Sequence, residues 1–132
     1  MGATVTAKTL SACVRALRQH QRLFDETGGC HGAGLFTFEG AHVVTYEDVG
    51  RHNAVDKVVG RLLLDHALPA HGLALFVSSR ASFEIVQKAW AAGFGTVVAV
   101  SAPTTLAIQT AKTAAISLFG FVRDGSAVRY HP

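Results

Sequence analysis

Apolar and polar positions along the chain fall into two periods, one helical and one strand-like, and the two alternate. Residues 8–25 predict a helix: Leu10, Val14, Leu17 and Phe24 fall near one face, and Arg15, Arg18 and Arg22 lie away from it. Thr9 or Ser11 can cap its start, and Thr27-Gly28-Gly29 stops it. Residues 31–38 and 41–47 predict two strands joined by a tight turn at Glu39-Gly40. A second helix runs from Asn53 to Ala67, with Val55, Val58, Val59, Leu62 and Leu63 as its stripe. Leu73–Val77 and Thr96–Val100 are short continuous apolar runs, the pattern of strands buried on both faces. Helices are expected at Ser82–Ala92, with Ser82 as N-cap and Gly93 as stop, and at 104–115 after Pro103. Ile116–Val122 and Ala127–Tyr130 close the order as strands around an Asp124-Gly125 turn.

Strands separated by helices imply parallel pairing through right-handed crossovers. The expected fold is therefore α/β: a three-layer α/β/α sandwich on a mixed, mostly parallel sheet with a hairpin at one edge. Nothing marks a linker or repeat, so residues 1–132 are expected to form a single domain. Composition sharpens this only a little. A 49% hydrophobic, 16% charged chain is a folding domain and not a disordered segment. The net charge of +3 comes without a dense Lys/Arg block, which argues against nucleic acid and for a local anionic ligand. Cys13 and Cys30 have neither disulfide-framework nor zinc spacing, so a reducing, cytoplasmic setting is expected. No apolar run approaches the roughly 20 residues of a membrane helix, and no signal peptide is visible.

The chemistry collects where strands end. In open α/β sheets ligands bind beyond the carboxyl ends of the strands. Four polar clusters fall there: Glu47-Asp48-Val49-Gly50-Arg51-His52-Asn53, Ser78-Ser79-Arg80-Ala81-Ser82, Ser101-Ala102-Pro103-Thr104-Thr105, and Arg123-Asp124-Gly125-Ser126. Backbone N–H groups at helix starts, hydroxyls and guanidinium groups all suit phosphate. Each cluster also has a plainer reading. Ser82 can be only an N-cap, Pro103-Thr104 only a helix start, and Asp124-Gly125 only a turn. Arg80 directly after a buried strand is harder to explain by packing. Asp56 and Lys57 are either a surface pair or a support for Arg51. His31 stands in a Gly28-Gly29-Cys30-His31-Gly32 context that leaves room for close approach. Cys30 beside it is a weak candidate for a reactive thiol and more often a packing residue.

A His at the start of the second helix in this topology resembles the cytidine deaminase-like fold. Zinc deamination needs a His/Cys-x-Glu and a Pro-Cys-x-x-Cys segment. His52 is followed by Asn53 and Ala54, and the third helix starts without cysteine. The expectation is a shared architecture without zinc.

Several segments then carry a specific resemblance: Thr27–His31, Glu47–Lys57 (Glu-Asp-Val-Gly-Arg-His-Asn-Ala-Val-Asp-Lys), Ser79–Lys88, Ser101–Thr104 and Gly120–Arg123. In this order, from about residue 20 onward, they are similar to the C-terminal part of the FdhD family of formate dehydrogenase accessory sulfurtransferases. The resemblance implies a cytidine deaminase-like domain that binds the molybdenum bis-guanine-dinucleotide cofactor. It further implies that sulfur comes from a cysteine desulfurase and that the sulfurated cofactor serves formate dehydrogenase. It implies a homodimer, and it attributes part of cofactor binding to the segment matching Phe121-Val122-Arg123-Asp124-Gly125-Ser126. The other binding candidates are Gly28, Gly29, His31, Glu47, Asp48, Arg51, His52, Asn53, Asp56, Lys57, Ser79, Arg80, Ser82, Ser101 and Thr104, and a GDP-like nucleotide is a candidate ligand. Arg51, Arg80 and Arg123 as phosphate or pterin anchors are an inference from chemistry. The family's persulfide chemistry uses a Cys-x-x-Cys upstream of this region. None is present in this chain, which leaves a non-catalytic docking module for the desulfurase or formate dehydrogenase as the alternative. An upstream lobe carrying that motif is expected to be missing from the chain. Ser79 stands where Gly is usual, and Gly32 and Gly34 replace more usual alanines.

Overall fold

A computed structural model describes residues 6–131 except His71, Asp124 and Gly125; the side chains of Leu23, Asp25, Thr27 and Arg123 also fall outside it. The elements in chain order are α1 (Ala7–Gln19), α2 (Arg22–Thr27), β1 (His31–Thr37), β2 (His42–Asp48), α3 (Arg51–Leu64), β3 (Leu73–Val77), α4 (Phe83–Ala92), β4 (Thr96–Ala99), α5 (Thr105–Ala114), β5 (Ser117–Arg123) and β6 (Ser126–His131). The expected alternation holds, with one substantive change at the start. The single helix of residues 8–25 is two. Thr6 caps α1 by accepting from the Thr9 amide at 3.1 Å, while Ser11 is buried. The chain leaves helical geometry at Gln21 (φ −98°, ψ 66°) and re-enters it as α2. The broken ladder is repaired from a distance: the Glu47 carboxylate accepts from the Phe24 amide at 2.9 Å. Gly28, at φ 68°, ends α2 in the left-handed conformation, with its amide donating to the Phe24 carbonyl at 2.7 Å.

The six strands form one sheet in the order β2-β1-β3-β4-β5-β6. Only β3–β4 and β4–β5 are parallel; β1 pairs antiparallel with both β2 and β3, and β6 antiparallel with β5. The expected mostly parallel sheet with one edge hairpin is thus corrected to a parallel centre with a hairpin at each edge. The reason is the place of β1 in the sheet. It lies between β2 and β3 and is hairpinned to β2, and the α3 crossover brings β3 back in the direction of β2, so β1 runs against both neighbours.

Period-two alternation divides the sheet's side chains between its two faces. Ala33, Leu35, Leu75, Val77, Val97, Ala99 and Leu118 lie with α3, α4 and α5 in the larger core. Phe36, Ala74, Phe76, Val98 and Phe119 lie with Leu10, Cys13 and Leu17 of α1 in the smaller one. Phe36 and Phe76 meet edge to face at 4.8 Å. This is the expected three-layer arrangement, with α1 covering one face and three helices the other.

Candidate functional site

The topology brings one set of chain ends together. The carboxyl ends of β2, β3 and β4 and the amino end of β1 lie on the same edge of the sheet, since His31 pairs with Asp48, Ala33 with Val77, and Val77 with Ala99. The helix following each of β2, β3 and β4 therefore starts there. Ser82 caps α4 by accepting from the Ile85 amide at 3.4 Å, and Thr104 caps α5 by accepting from the Ala107 amide at 3.1 Å. The two loops are joined where the Thr104 amide donates to the Ala81 carbonyl at 3.0 Å and Arg80 Nε to the Ala102 carbonyl at 3.4 Å. Arg80 is otherwise exposed; Ser79 is buried and its hydroxyl donates to the Arg80 carbonyl at 3.1 Å. Arg51 and His52 open α3 close to Glu84 in the first turn of α4. The carboxylate of Glu84 accepts from its own backbone amide and from Ser82, and the two basic side chains add attraction. Together these hold it below the ordinary carboxylate range against the cost of desolvation.

The Glu47–Lys57 corner closes on itself. Asp48 Oδ1 accepts from the Gly50 amide at 2.9 Å, and Oδ2 pairs with Lys57 Nζ at 2.9 Å. Asn53 adds a further side-chain hydrogen bond to Asp48. The Gly50 amide, followed by Lys57, keeps the Asp48 carboxyl below its ordinary value. Lys57 also donates to the Glu47 carbonyl at 2.7 Å. Asp56 pairs with Lys88 of α4 at 2.8 Å and not with Lys57. The alternatives for these two residues resolve into two separate bridges, one within the corner and one between helices.

Beside this edge, between α1–α2 and the ends of β3 and β4, lies a cavity of about 470 Å³. This is within the usual size of a small-molecule site, roughly 300–1,000 Å³. Gly28, Gly29, Cys30 and His31 line it, together with Val14, Leu17, Arg18, Gln21, Phe24, Ser78 and Val100. Arg18 stacks its guanidinium on Phe24, 4.3 Å from the ring centroid. Ser78 fastens the wall to β1: its hydroxyl accepts from the Gly32 amide at 2.8 Å, and its own amide donates to the Gly32 carbonyl at 2.9 Å. Cys30 is buried in this lining and Cys13 lies on the buried face of α1, where desolvation pushes its thiol up to about 11.

At the end of β5, Phe121 is exposed and takes a left-handed backbone (φ 50°), rare for an aromatic residue. Its amide donates to the Ser101 carbonyl at 3.3 Å. A Cβ on the neighbouring Gly120 would stand 2.9 Å from Pro103 Cδ and from the Ser101 oxygen, so only glycine lets the two chains approach this closely. Val122 is buried in the smaller core and Ser126 is exposed. The Arg123 side chain, Asp124 and Gly125 lie outside the described residues.

The edge thus assembles Gly28–His31, Arg51, His52, Ser79–Ser82 and Ser101–Thr104. It ties Glu47, Asp48 and Lys57 into the frame and leaves Asp56 on a bridge between helices. The sequence pattern passed over Gln21, Phe24, Val14, Leu17, Arg18 and Val100, because they read as a helix stripe, its polar flank and a strand end. Among the described residues no group of three or more His, Cys, Asp and Glu side chains can hold a metal ion. No helix there is long and apolar enough to cross a membrane.

Comparison with known proteins places this architecture. The model of the FdhD/NarQ family matches residues 1–132. The chain is 51% identical to the sulfur carrier protein FdhD of Nocardia farcinica over 122 residues, covering 92% of this chain and 44% of that protein. It is 53% identical to that of Corynebacterium efficiens over 114 residues, 86% of this chain and 41% of the other. It spans less than half the length of these relatives. A crystal structure assigned as a formate dehydrogenase accessory protein from Desulfotalea psychrophila superposes with a TM-score of 0.88 at 28% identity, over 99% of this chain and 59% of that one. The chain belongs to the FdhD/NarQ family.

Proposed function

We propose that this domain binds the molybdenum bis-guanine-dinucleotide cofactor as its substrate during sulfuration, with sulfur relayed from a cysteine desulfurase and the product passed to formate dehydrogenase. One observation carries the reading: three helix N-termini and the Arg51 and Arg80 guanidinium groups share a sheet edge with the 470 Å³ cavity. Helix N-termini and arginines favour phosphate, and an apolar cavity with a few polar groups favours a flat ring. A guanine dinucleotide offers both within one molecule. A homodimer and a cytoplasmic setting belong to the same reading, and Cys13 and Cys30, both thiols outside any disulfide, fit the second of these.

Calorimetric titration with GDP and with the molybdenum cofactor tests it. Binding is expected, and Arg80→Ala is expected to weaken it about tenfold by removing one charge-assisted contact. Absence of binding for both ligands overturns the reading. Unchanged affinity in Arg80→Ala removes Arg80 from the site.

A second reading has its own support. The chain contains no Cys-x-x-Cys, so within these residues the persulfide pair is lacking and docking of a desulfurase or formate dehydrogenase is the activity left. Co-purification with the desulfurase, without GDP binding, is the outcome that selects it.

A further inference from the structure

Gln21 is a buried polar residue at the break between α1 and α2, 3% exposed, in the lining of the cavity. Its backbone amide donates to the Arg18 carbonyl at 3.2 Å. Its carboxamide has no hydrogen-bond partner among the described residues. No side-chain nitrogen or oxygen there is sealed off without a partner, so the carboxamide meets its needs through the cavity. The other polar groups of the lining differ. Ser78 is engaged by Gly32, Arg18 stacks on Phe24, and His31 is only half-buried and reaches water. A buried amide left unpartnered calls for an explanation.

The side chain is also held in place. It lies against Gly32, where a Cβ would come within 2.9 Å of Gln21 Cδ. Gly32 is itself fixed by its two hydrogen bonds to Ser78. The lining around the carboxamide is apolar, with Val14, Leu17, Phe24 and Val100. It thus stands as an adjacent donor and acceptor in a space suited to the faces of a planar ring.

We propose that Gln21 is the ring-reading residue of this cavity, its carboxamide pairing with the lactam edge of a guanine or pterin ring. The inference rests on the proposed function, which supplies both rings. Guanine and pterin share the same 2-amino-4-oxopyrimidine portion, so one carboxamide serves either. Its oxygen accepts from the ring N–H while its NH₂ donates to the ring carbonyl. The pairing reads a heterocycle and leaves the phosphates to the helix starts.

Titration of the 132-residue chain with GDP, 6-hydroxymethylpterin and inorganic pyrophosphate tests this. Gln21→Met keeps the volume and removes both hydrogen bonds. It is expected to weaken the ring ligand about tenfold and to leave pyrophosphate unchanged. Whichever of GDP and the pterin loses affinity identifies the ring that sits there. Gly32→Ala, which displaces the carboxamide without altering it, is expected to weaken the same ligand a few-fold. If Gln21→Met and Gly32→Ala both bind GDP and the pterin as the wild type does, the assignment to Gln21 is wrong and the proposed function stands. An equal loss for pyrophosphate also overturns it, because ring reading cannot affect a ligand without a ring. Failure of the wild type to bind either ring ligand overturns the proposed function, and this assignment with it.

Discussion

The Glu47–Lys57 corner and the Gln21 cavity lie near the same edge of the sheet, and they use polar groups in opposite ways. In the corner, Asp48 is satisfied by the Gly50 amide and Lys57, and Lys57 again by the Glu47 carbonyl. In the cavity, the most buried polar side chain, Gln21, has a carboxamide with no partner among the described residues. Within the dense run of ionisable residues, Glu47, Asp48 and Lys57 thus form a self-satisfied frame, while an amide in an apolar lining marks a place open to a ligand. Glu47, which accepts from the Phe24 amide, ties the corner to the cavity wall.

The largest expected effect comes from a residue shared by the cavity and the core. Leu17 is 1% exposed, packs in the smaller core and lines the cavity. Leu17→Ala is expected to cost about 2–5 kcal/mol of stability, the usual range for a buried leucine, measured by urea unfolding. If the loss is under about 1 kcal/mol, the cavity wall is not part of the core and the contrast between frame and cavity must be redrawn.

Next comes the contact that joins the regions. Glu47→Ala leaves the Phe24 amide at the start of α2 without its acceptor, at an expected cost of about 1–2 kcal/mol. Because α2 carries Phe24 into the cavity, GDP affinity is expected to fall as well. Lost stability with unchanged affinity would show that the corner supports the fold without positioning the cavity.

Asp48→Asn addresses the corner alone. The folded-state pKa of Asp48 is depressed below its ordinary 3.8 by the Gly50 amide and Lys57. A depressed carboxyl stabilises the fold above its unfolded pKa, and that contribution is lost as pH falls through the folded value. Wild-type melting temperature is therefore expected to fall on acidification below about pH 4. The Asp48→Asn variant is expected to start lower at neutral pH and to show a shallower acid limb, with GDP affinity at neutral pH retained. Parallel acid limbs for the two proteins would take Asp48 out of the account.

How much of this was legible follows from the range of the interactions. The αβ alternation, the Ser82 cap and the buried runs Leu73–Val77 and Thr96–Ala99 depend on neighbours within a few residues, and the sequence pattern shows them. The split between α1 and α2 depends on Glu47, 23 positions beyond Phe24, and no local signal reports it. The antiparallel β1–β3 pairing follows from β3 docking beside β1 and not beside β2, a choice of neighbour that the helix-strand alternation alone does not reveal. At the site, glycine context drew attention to Gly28–His31. Gln21 read as one more polar residue on a continuous helix, because its burial and lack of partner exist only once α1 lies on the sheet.

The smallest expected effect separates bridges that build the corner from bridges that merely cross it. Asp56 pairs with Lys88 at 2.8 Å between α3 and α4, with about half of the Asp56 side chain exposed (54%). An exposed pair gains little Coulomb energy in water and must order two side chains, so Asp56→Asn is expected to change stability by about 0.5 kcal/mol or less. High salt is expected to shrink even that difference, since the Debye length is only about 3 Å at 1 M. GDP affinity is expected to be unaltered, because both charges are already engaged with each other. A tenfold loss of GDP affinity in Asp56→Asn would mean that the α3–α4 bridge sets the spacing of two helix starts at the ligand edge. Asp56 would then join Glu47 among the residues that position the site.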